Sequence, residues 1–319
     1  MYGWVDDVNT WRNPKKYKFD SARKPYLDKL ASDAAATGKL NRTYVNRSAP
    51  NSKLVTAKKD ITSDSENPLI IAVDVTGSMA SWPGEIFDRL PLLYKTLSQY
   101  KPDLEISFAA IGDATCDSYP LQINNFGKGV DLDDHIKALC AEGGGGGQHF
   151  ESYELFGYHM LNHANVPKAK SPFLIMFGDE SFYEQVDPAQ VKHYVGDTLQ
   201  NPLNSREMWQ KLQQKFDVYM LHKPYSGGME KEIVQQWSSV LGKQKVIQLY
   251  DEQRAVDVAM GLIAKKWGQY GDFSSNLSAR HDDDDAISVH KSLRHVDPGT
   301  ATKSVTHASK SAKVSKPLA

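Results

Sequence analysis

From Pro68 onward, short runs of consecutive apolar residues alternate with longer stretches in which apolar residues recur every three or four positions. The runs PLIIAVDV, LEISFAAIG, YPLQINNF, PFLIMFG, DVYMLHKPY and KVIQLYD are rich in β-branched and aromatic residues, and most have no internal Gly or Pro. They read as strands. The amphipathic stretches between them predict helices near 83–99, 131–141, 151–164, 187–198, 204–216, 229–241 and 252–269. Strands apolar on both faces, alternating with helices, predict an α/β fold: a doubly wound, Rossmann-like, open and mostly parallel sheet of about six strands with helices on both faces. In such sheets ligands bind outside the carboxyl ends of the strands, so the loops that leave those ends are where chemistry is expected.

The flanks follow a different pattern. Residues 1–66 are polar and basic, with a weakly helical patch, SARKPYLDKLASDAAA, and a Ser/Asn/Thr-rich run ending in SDSENP. They read as an arm and linker, although Tyr2, Trp4, Trp11, Tyr17, Phe19 and Tyr26 are too many aromatics for a purely disordered tail. Residues 67–270 form the α/β domain. Residues 271–319 have few large apolar residues and read as a disordered polar tail, with RHDDDDAISVH (280–290) as a solvated acidic spacer, because four adjacent carboxylates cannot all converge on one ion.

Charge divides along the same lines. The net charge is −1, but residues 11–59 carry 13 Lys/Arg against 3 Asp and residues 286–319 carry 6 against 1, which leaves −14 on residues 60–285. An acidic body is flanked by two basic arms. These could contact nucleic acid or an acidic partner, or fold back on the body. No apolar stretch approaches the roughly 20 residues needed to span a bilayer, and MYGWVDDVNTW has neither the basic flank nor the apolar core of a secretion signal, so a cytoplasmic location without a membrane is expected. Cys116 and Cys140 are the two cysteines and form no CxxC or Cys/His spacing. Neither a disulfide framework nor a zinc site is implied, and both read as small core residues.

Four polar clusters fall at predicted strand ends: Asp74-Val-Thr76-Gly-Ser78, Gly112-Asp113, EGGGGGQHFES before the 151–164 helix, and Gly178-Asp179-Glu180-Ser181. Oxygen donors without His or Cys suit magnesium, manganese or calcium. The residues alone also allow Asp74 to be a helix cap, the glycine run to be a plain loop, and His149 and Asp113 to be loop and turn residues.

PLIIAVDVTGSM resembles the first motif of von Willebrand factor A (VWA) domains, DxSxS, with Thr76 in place of the first serine, and FLIMFGDES resembles the third motif, an apolar strand that ends in aspartate. The resemblance covers about residues 67–270. It implies a metal-ion-dependent adhesion site in which Thr76 and Ser78 are direct hydroxyl ligands of Mg²⁺ (or Mn²⁺ or Ca²⁺), and Asp74 and Asp179 hold the ion directly or through water. It further implies a non-enzymatic binding module whose open coordination position is filled by an acidic side chain of a partner protein. In intracellular bacterial relatives the partner is often an AAA+ ATPase of the MoxR type, and others act beside kinases and phosphatases in stress and conflict systems.

The second motif departs from the family pattern. Its threonine is missing, and five glycines run into Gln148, His149, Phe150, Glu151 and Ser152. Glu151 or Gln148 would take the ligand's place, with Ser152 the other hydroxyl in reach. A self-contained ATPase is disfavoured because no GxxxxGK[ST] lysine exists. A magnesium-dependent phosphatase would need a second Asp where Thr76 stands, to act as general acid. A nucleic-acid-associated scaffold using the basic arms is the remaining alternative.

Overall fold

The computed structural model describes residues 49–79, 82–129, 131–142, 149–224 and 228–299. Its centre is a six-stranded sheet of β1 (Pro68–Asp74), β2 (Glu105–Ile111), β3 (Leu121–Ile123), β4 (Phe173–Gly178), β5 (Asp217–His222) and β6 (Val246–Gln248). The order is β6-β5-β4-β1-β2-β3, and all pairs are parallel except β2 with the short edge strand β3. All six predicted strands are present, as is the mostly parallel α/β architecture.

Among the described residues, eight helices of eight residues or more follow the strands or close the fold: α1 (Trp82–Tyr100), α2 (Asp131–Ala138), α3 (Tyr153–His163), α4 (Ser205–Leu212), α5 (Glu230–Leu241), α6 (Ala255–Lys266), α7 (Tyr270–Arg280) and α8 (Asp283–Ser292). The predicted 187–198 helix is a short turn, Pro188–Gln190, running into a π-helical turn, Val191–Val195, that Gly196 ends at φ 100°. Only a residue without a Cβ takes that φ at no cost.

Because successive strand residues face opposite ways, the sheet builds two cores. Leu69, Ile71, Val73, Phe173, Ile175 and Phe177 pack with α1, α2, α6, α7 and α8 on one face. On the other, Ile70, Ala72, Leu174 and Met176 pack with α3, α4 and α5. The central strand β1 is buried along its whole length, which explains a run with no polar alternation until Asp74.

The flanks differ from the sequence reading. Residues 1–48 of the arm lie outside the described residues, but 49–66 belong to the body: Ile61–Thr62 pairs in parallel with Ala164–Asn165, Val55 bridges Asn124, and Val55, Ala57 and Ile61 are buried. At the other end, the expected disordered tail is helical through Ser292. Phe273, Leu277, Ala286, Val289, Leu293 and Val296 are buried against α6. Their spacing of three to four residues was masked by the Ser, Asn and Asp between them. Gly261 makes this docking close, since a Cβ there would strike Leu293 and Phe273.

The acidic spacer is likewise corrected. Asp282 caps α8 by accepting from Asp285 N at 3.0 Å, and Asp283, Asp284 and Asp285 fill its first turn. That is where the helix dipole favours negative charge. Asp285 also pairs with Arg254 at 3.3 Å. Residues 300–319 lie outside the described residues. No described helix is long and apolar enough to cross a membrane.

Candidate functional site

The strand order reverses between β1 and β4, and their carboxyl ends carry Asp74 and Asp179. This is the topological switch point, where a crevice forms because the chain leaves adjacent strands in opposite directions.

Asp74 is fully buried and accepts three hydrogen bonds. Oδ1 takes Thr76 N at 2.9 Å and Thr76 Oγ1 at 2.7 Å, and Oδ2 takes the Tyr153 hydroxyl at 2.5 Å. Thr76 Oγ1 lies 3.3 Å from Ser78 Oγ, which donates to Asp179 Oδ1 at 3.1 Å. A continuous chain of oxygen atoms therefore joins the two strand-end acids through the two hydroxyls. Ser78 is exposed, whereas Asp74, Thr76 and Asp179 are buried beneath it.

Glu151 reaches the same crevice by a route that motif reading did not supply. Phe150–Glu151 pairs in parallel with Ser181–Phe182, and this two-residue ladder fixes the loop before α3 against the loop after β4. Phe150 stacks on Tyr183 at 5.5 Å between ring centres. The ladder brings Glu151 against Glu180, and both are buried with one carboxylate oxygen each, Oε2, that has no hydrogen-bond partner. Ser152 stands at the N-cap of α3, but its side chain makes no capping bond to the helix. Its Oγ accepts from Ala114 N at 2.8 Å and its N donates to Gly112 O, tying down the loop after β2. In that loop Asp113 accepts from Thr115 and from the Tyr183 hydroxyl at 3.2 Å. Gln148 and the glycines lie outside the described residues. Of the two cysteines, Cys140 is buried as expected but Cys116 is exposed.

Electrostatically the rim is overloaded with carboxylates. Burial, then the charge of Asp74, pushes Asp179 up to about 7; burial, then Asp179 and Asp74, pushes Glu180 to about 8; burial, then Asp74 and Glu180, pushes Glu151 to about 11. Burial also raises Asp74, against its hydrogen bonds from Thr76 and Tyr153. Lys223, just past β5, partly offsets the charge of Asp179; its Nζ donates to Ser78 O at 2.9 Å and sits 6.0 Å from the centre of the Trp82 ring. Like charges buried this closely together must either take up protons or share a cation.

The unpartnered oxygens and the excess of carboxylate over ammonium fit a hard divalent ion. Among the described residues no group of three or more His, Cys, Asp or Glu side chains is arranged to hold a metal, so such a site would draw on the hydroxyls of Thr76 and Ser78 as well as the acids. Tyr153 and Lys223 are the residues that sequence reasoning missed, and Glu180 was placed at the strand end without a role. Lys223 sits at a strand end and could have been found by that rule; Tyr153 could not, because its role depends on where α3 starts.

No family model matches the chain, and no curated protein matches it. Among solved structures it is similar to the pilus adhesin SpaC from Lactobacillus rhamnosus GG, at 11% identity and a TM-score of 0.45, over 67% of this chain and 31% of that one. The open conformation of the same adhesin gives 10% and 0.44. Proximal thread matrix protein 1 from the mussel byssus gives 11% and 0.44, over 65% of this chain and 48% of that one. The chain thus spans about a third of the adhesin's length and about half of the matrix protein's. Scores this low leave the functional reading to the site itself.

Proposed function

We propose that this chain is a VWA-type binding module that recognises a partner protein through a divalent metal held at the β1/β4 crevice. The observation that carries the reading is the hydroxyl-bridged pair of acids: Asp74 and Thr76 joined through Ser78 to Asp179, 101 residues further on. Thr76, Ser78, Asp74 and Asp179 would hold Mg²⁺ (or Mn²⁺ or Ca²⁺), with Glu151 contributing charge from the side. When bound, the ion supplies a Lewis-acidic position that a partner's carboxylate can complete. Exposed Ser78 over buried acids gives a visiting carboxylate one open side. Lys223 would add a second positive contact beside it.

A non-enzymatic role is favoured over phosphoryl transfer by the state of Asp74. Asp74 is buried and accepts from Thr76 and from the Tyr153 hydroxyl, which lowers its nucleophilicity toward a phosphorus atom while leaving it able to orient or share a cation. Thr76 donates to it and cannot replace a general acid. The partner class, by the same resemblance, is an AAA+ ATPase of the MoxR type in the cytoplasm.

The test is calorimetric titration of the full chain with Mg²⁺ and Mn²⁺. Wild type should give a binding heat that Ser78→Ala weakens, and no heat at neutral pH sinks the metal. Affinity capture with wild type and Asp74→Ala, in Mg²⁺ and in EDTA, then tests the bridge. Identical partners under all four conditions would remove it.

A further inference from the structure

We propose that the outer edge of β6 is a docking groove for an extended acidic peptide of a partner protein, at a place distinct from the metal rim. Among the described residues β6 pairs on one side only, with β5, and ends the sheet. Beside it runs a groove of about 1080 Å³ between α5, β6 and the end of α8. Val234, Val246 and Ile247 give it an apolar lining, and Lys231, Lys243, Lys291 and Arg294 stand along it.

The charge of the groove is opposite to that of the body around it. Residues 60–285 carry −14, yet no carboxylate pairs with Lys231, Lys243 or Lys291 among the described residues. Arg294 lies over the exposed Tyr250 ring at 5.7 Å and donates to His295, not to an acid. Glu230, also in the lining, is engaged by His222, whose Nε2 lies 3.0 and 2.9 Å from its two oxygens. Four cations over an apolar floor beside an open strand match a strand with acids on one face and apolar residues on the other.

The other occupants fit less well. The arms of this chain are basic, and like charge opposes their entry. A second copy joined edge to edge about a two-fold axis would set each lysine row against itself. A nucleic acid strand would satisfy the cations but not an amide edge. Lysines on an edge strand also discourage unwanted pairing, but that duty needs no apolar groove beside them.

The test uses the full chain in EDTA, so that failure of the metal reading leaves it untouched. The probe is a blocked, fluorescein-labelled hexapeptide of alternating glutamate and valine, followed by anisotropy. Controls are the same peptide with alternate backbone N-methylation, its lysine-for-glutamate version, and a ten-nucleotide oligo-dT. Binding should drop on the order of tenfold with either altered peptide and with the Lys243→Glu/Lys291→Glu double variant. Exchange of the β6 backbone amides should slow when the glutamate peptide binds. The proposal is overturned if the glutamate peptide does not bind at millimolar concentration, if N-methylation or charge reversal leaves binding unchanged, if oligo-dT binds more tightly than the peptide, or if the free protein dimerises through this edge.

Discussion

The Tyr153 hydroxyl donates to Asp74 Oδ2 at 2.5 Å, and both residues are buried. Tyr153 opens α3 and Asp74 ends β1, so this bond fixes the helix that follows the glycine run to the acid at the centre of the crevice. Tyr153→Phe keeps the ring, which packs edge-on against Trp237 at 5.4 Å, and removes only the donor. Leaving a buried carboxylate oxygen unsatisfied should cost about 1–3 kcal/mol in urea unfolding. Since groups behind a ligand orient it, Mg²⁺ affinity by calorimetry should fall by on the order of tenfold or more.

Gly178 permits that contact. A Cβ at this position would overlap the Tyr153 hydroxyl and crowd the methyl of Met220. Gly178→Ala should therefore cost about 1–3 kcal/mol through overpacking. Combined with Tyr153→Phe, which removes the struck oxygen, the penalty should be smaller than the two single costs added. A double-mutant cycle measures this, and strict additivity would mean that the two sites do not interact.

What could be read in the sequence was whatever depends on local pattern. β1 is apolar without interruption because it is covered on both faces, and the end of that run marks Asp74. The same rule found Asp179, and the wound topology brings the two strand ends together. The Phe150–Glu151 ladder was invisible, because two residues carry no periodicity and their pairing is set by distant chain. Helices α7 and α8 were missed for another reason: their apolar residues are few and set among Ser, Asn and Asp, and only docking on α6 reveals that they share a face.

Acid–base linkage gives the crevice a measurable signature. Asp179, Glu180 and Glu151 have folded-state values above their ordinary ones, at about 7, 8 and 11. The native state then binds more protons than the unfolded chain above the ordinary carboxylate range, so stability falls as pH rises from there through 7 and 8. In EDTA the melting temperature should drop between pH 5 and pH 9, and Asp179→Asn should flatten that drop. Mg²⁺ should restore stability at pH 8 and do little at pH 5, where protons already occupy the acids. An Mg²⁺ effect equal at both pH values would contradict the assignment of these acids to the cation.

Asp257 on α6 anchors the carboxyl-terminal helices. It is buried and lies 3.5 Å from Arg89 of α1, 3.3 Å from Arg280 at the end of α7 and 3.3 Å from His281. Burial alone would raise its carboxyl, but His281 beside it and the charges of Arg280 and Arg89 hold it well below the usual range. Asp257→Asn keeps the shape and removes the carboxylate charge that faces two buried guanidinium groups. The cost should be about 3–5 kcal/mol by urea unfolding. Amide exchange should rise first in α7 and α8, whose attachment passes through this residue.

His163 joins the segment before the sheet to the body. Its Nδ1 lies 2.7 Å from Asp60 and its Nε2 2.8 Å from Asp197, and Ile61–Thr62 pairs with the strand just after it. Burial pushes the imidazole down, but the hydrogen bonds to Asp197 and Asp60 outweigh it and raise it above its ordinary value. Its neighbour His159, 5.1 Å away between ring centres, is pushed down to about 4 by burial and by the His163 charge, so it stays neutral near pH 7. A raised histidine stabilises the fold fully below its unfolded value near 6.5, and this is lost as pH rises through the folded value. The advantage of wild type over His163→Gln in urea midpoint should therefore be present at pH 6 and shrink toward pH 9. Hydrogen exchange at Ile61 and Thr62 should quicken over the same interval in wild type and be fast throughout in the variant. A gap between the two proteins that does not change with pH would assign the contact to neutral hydrogen bonds and not to the charged imidazolium.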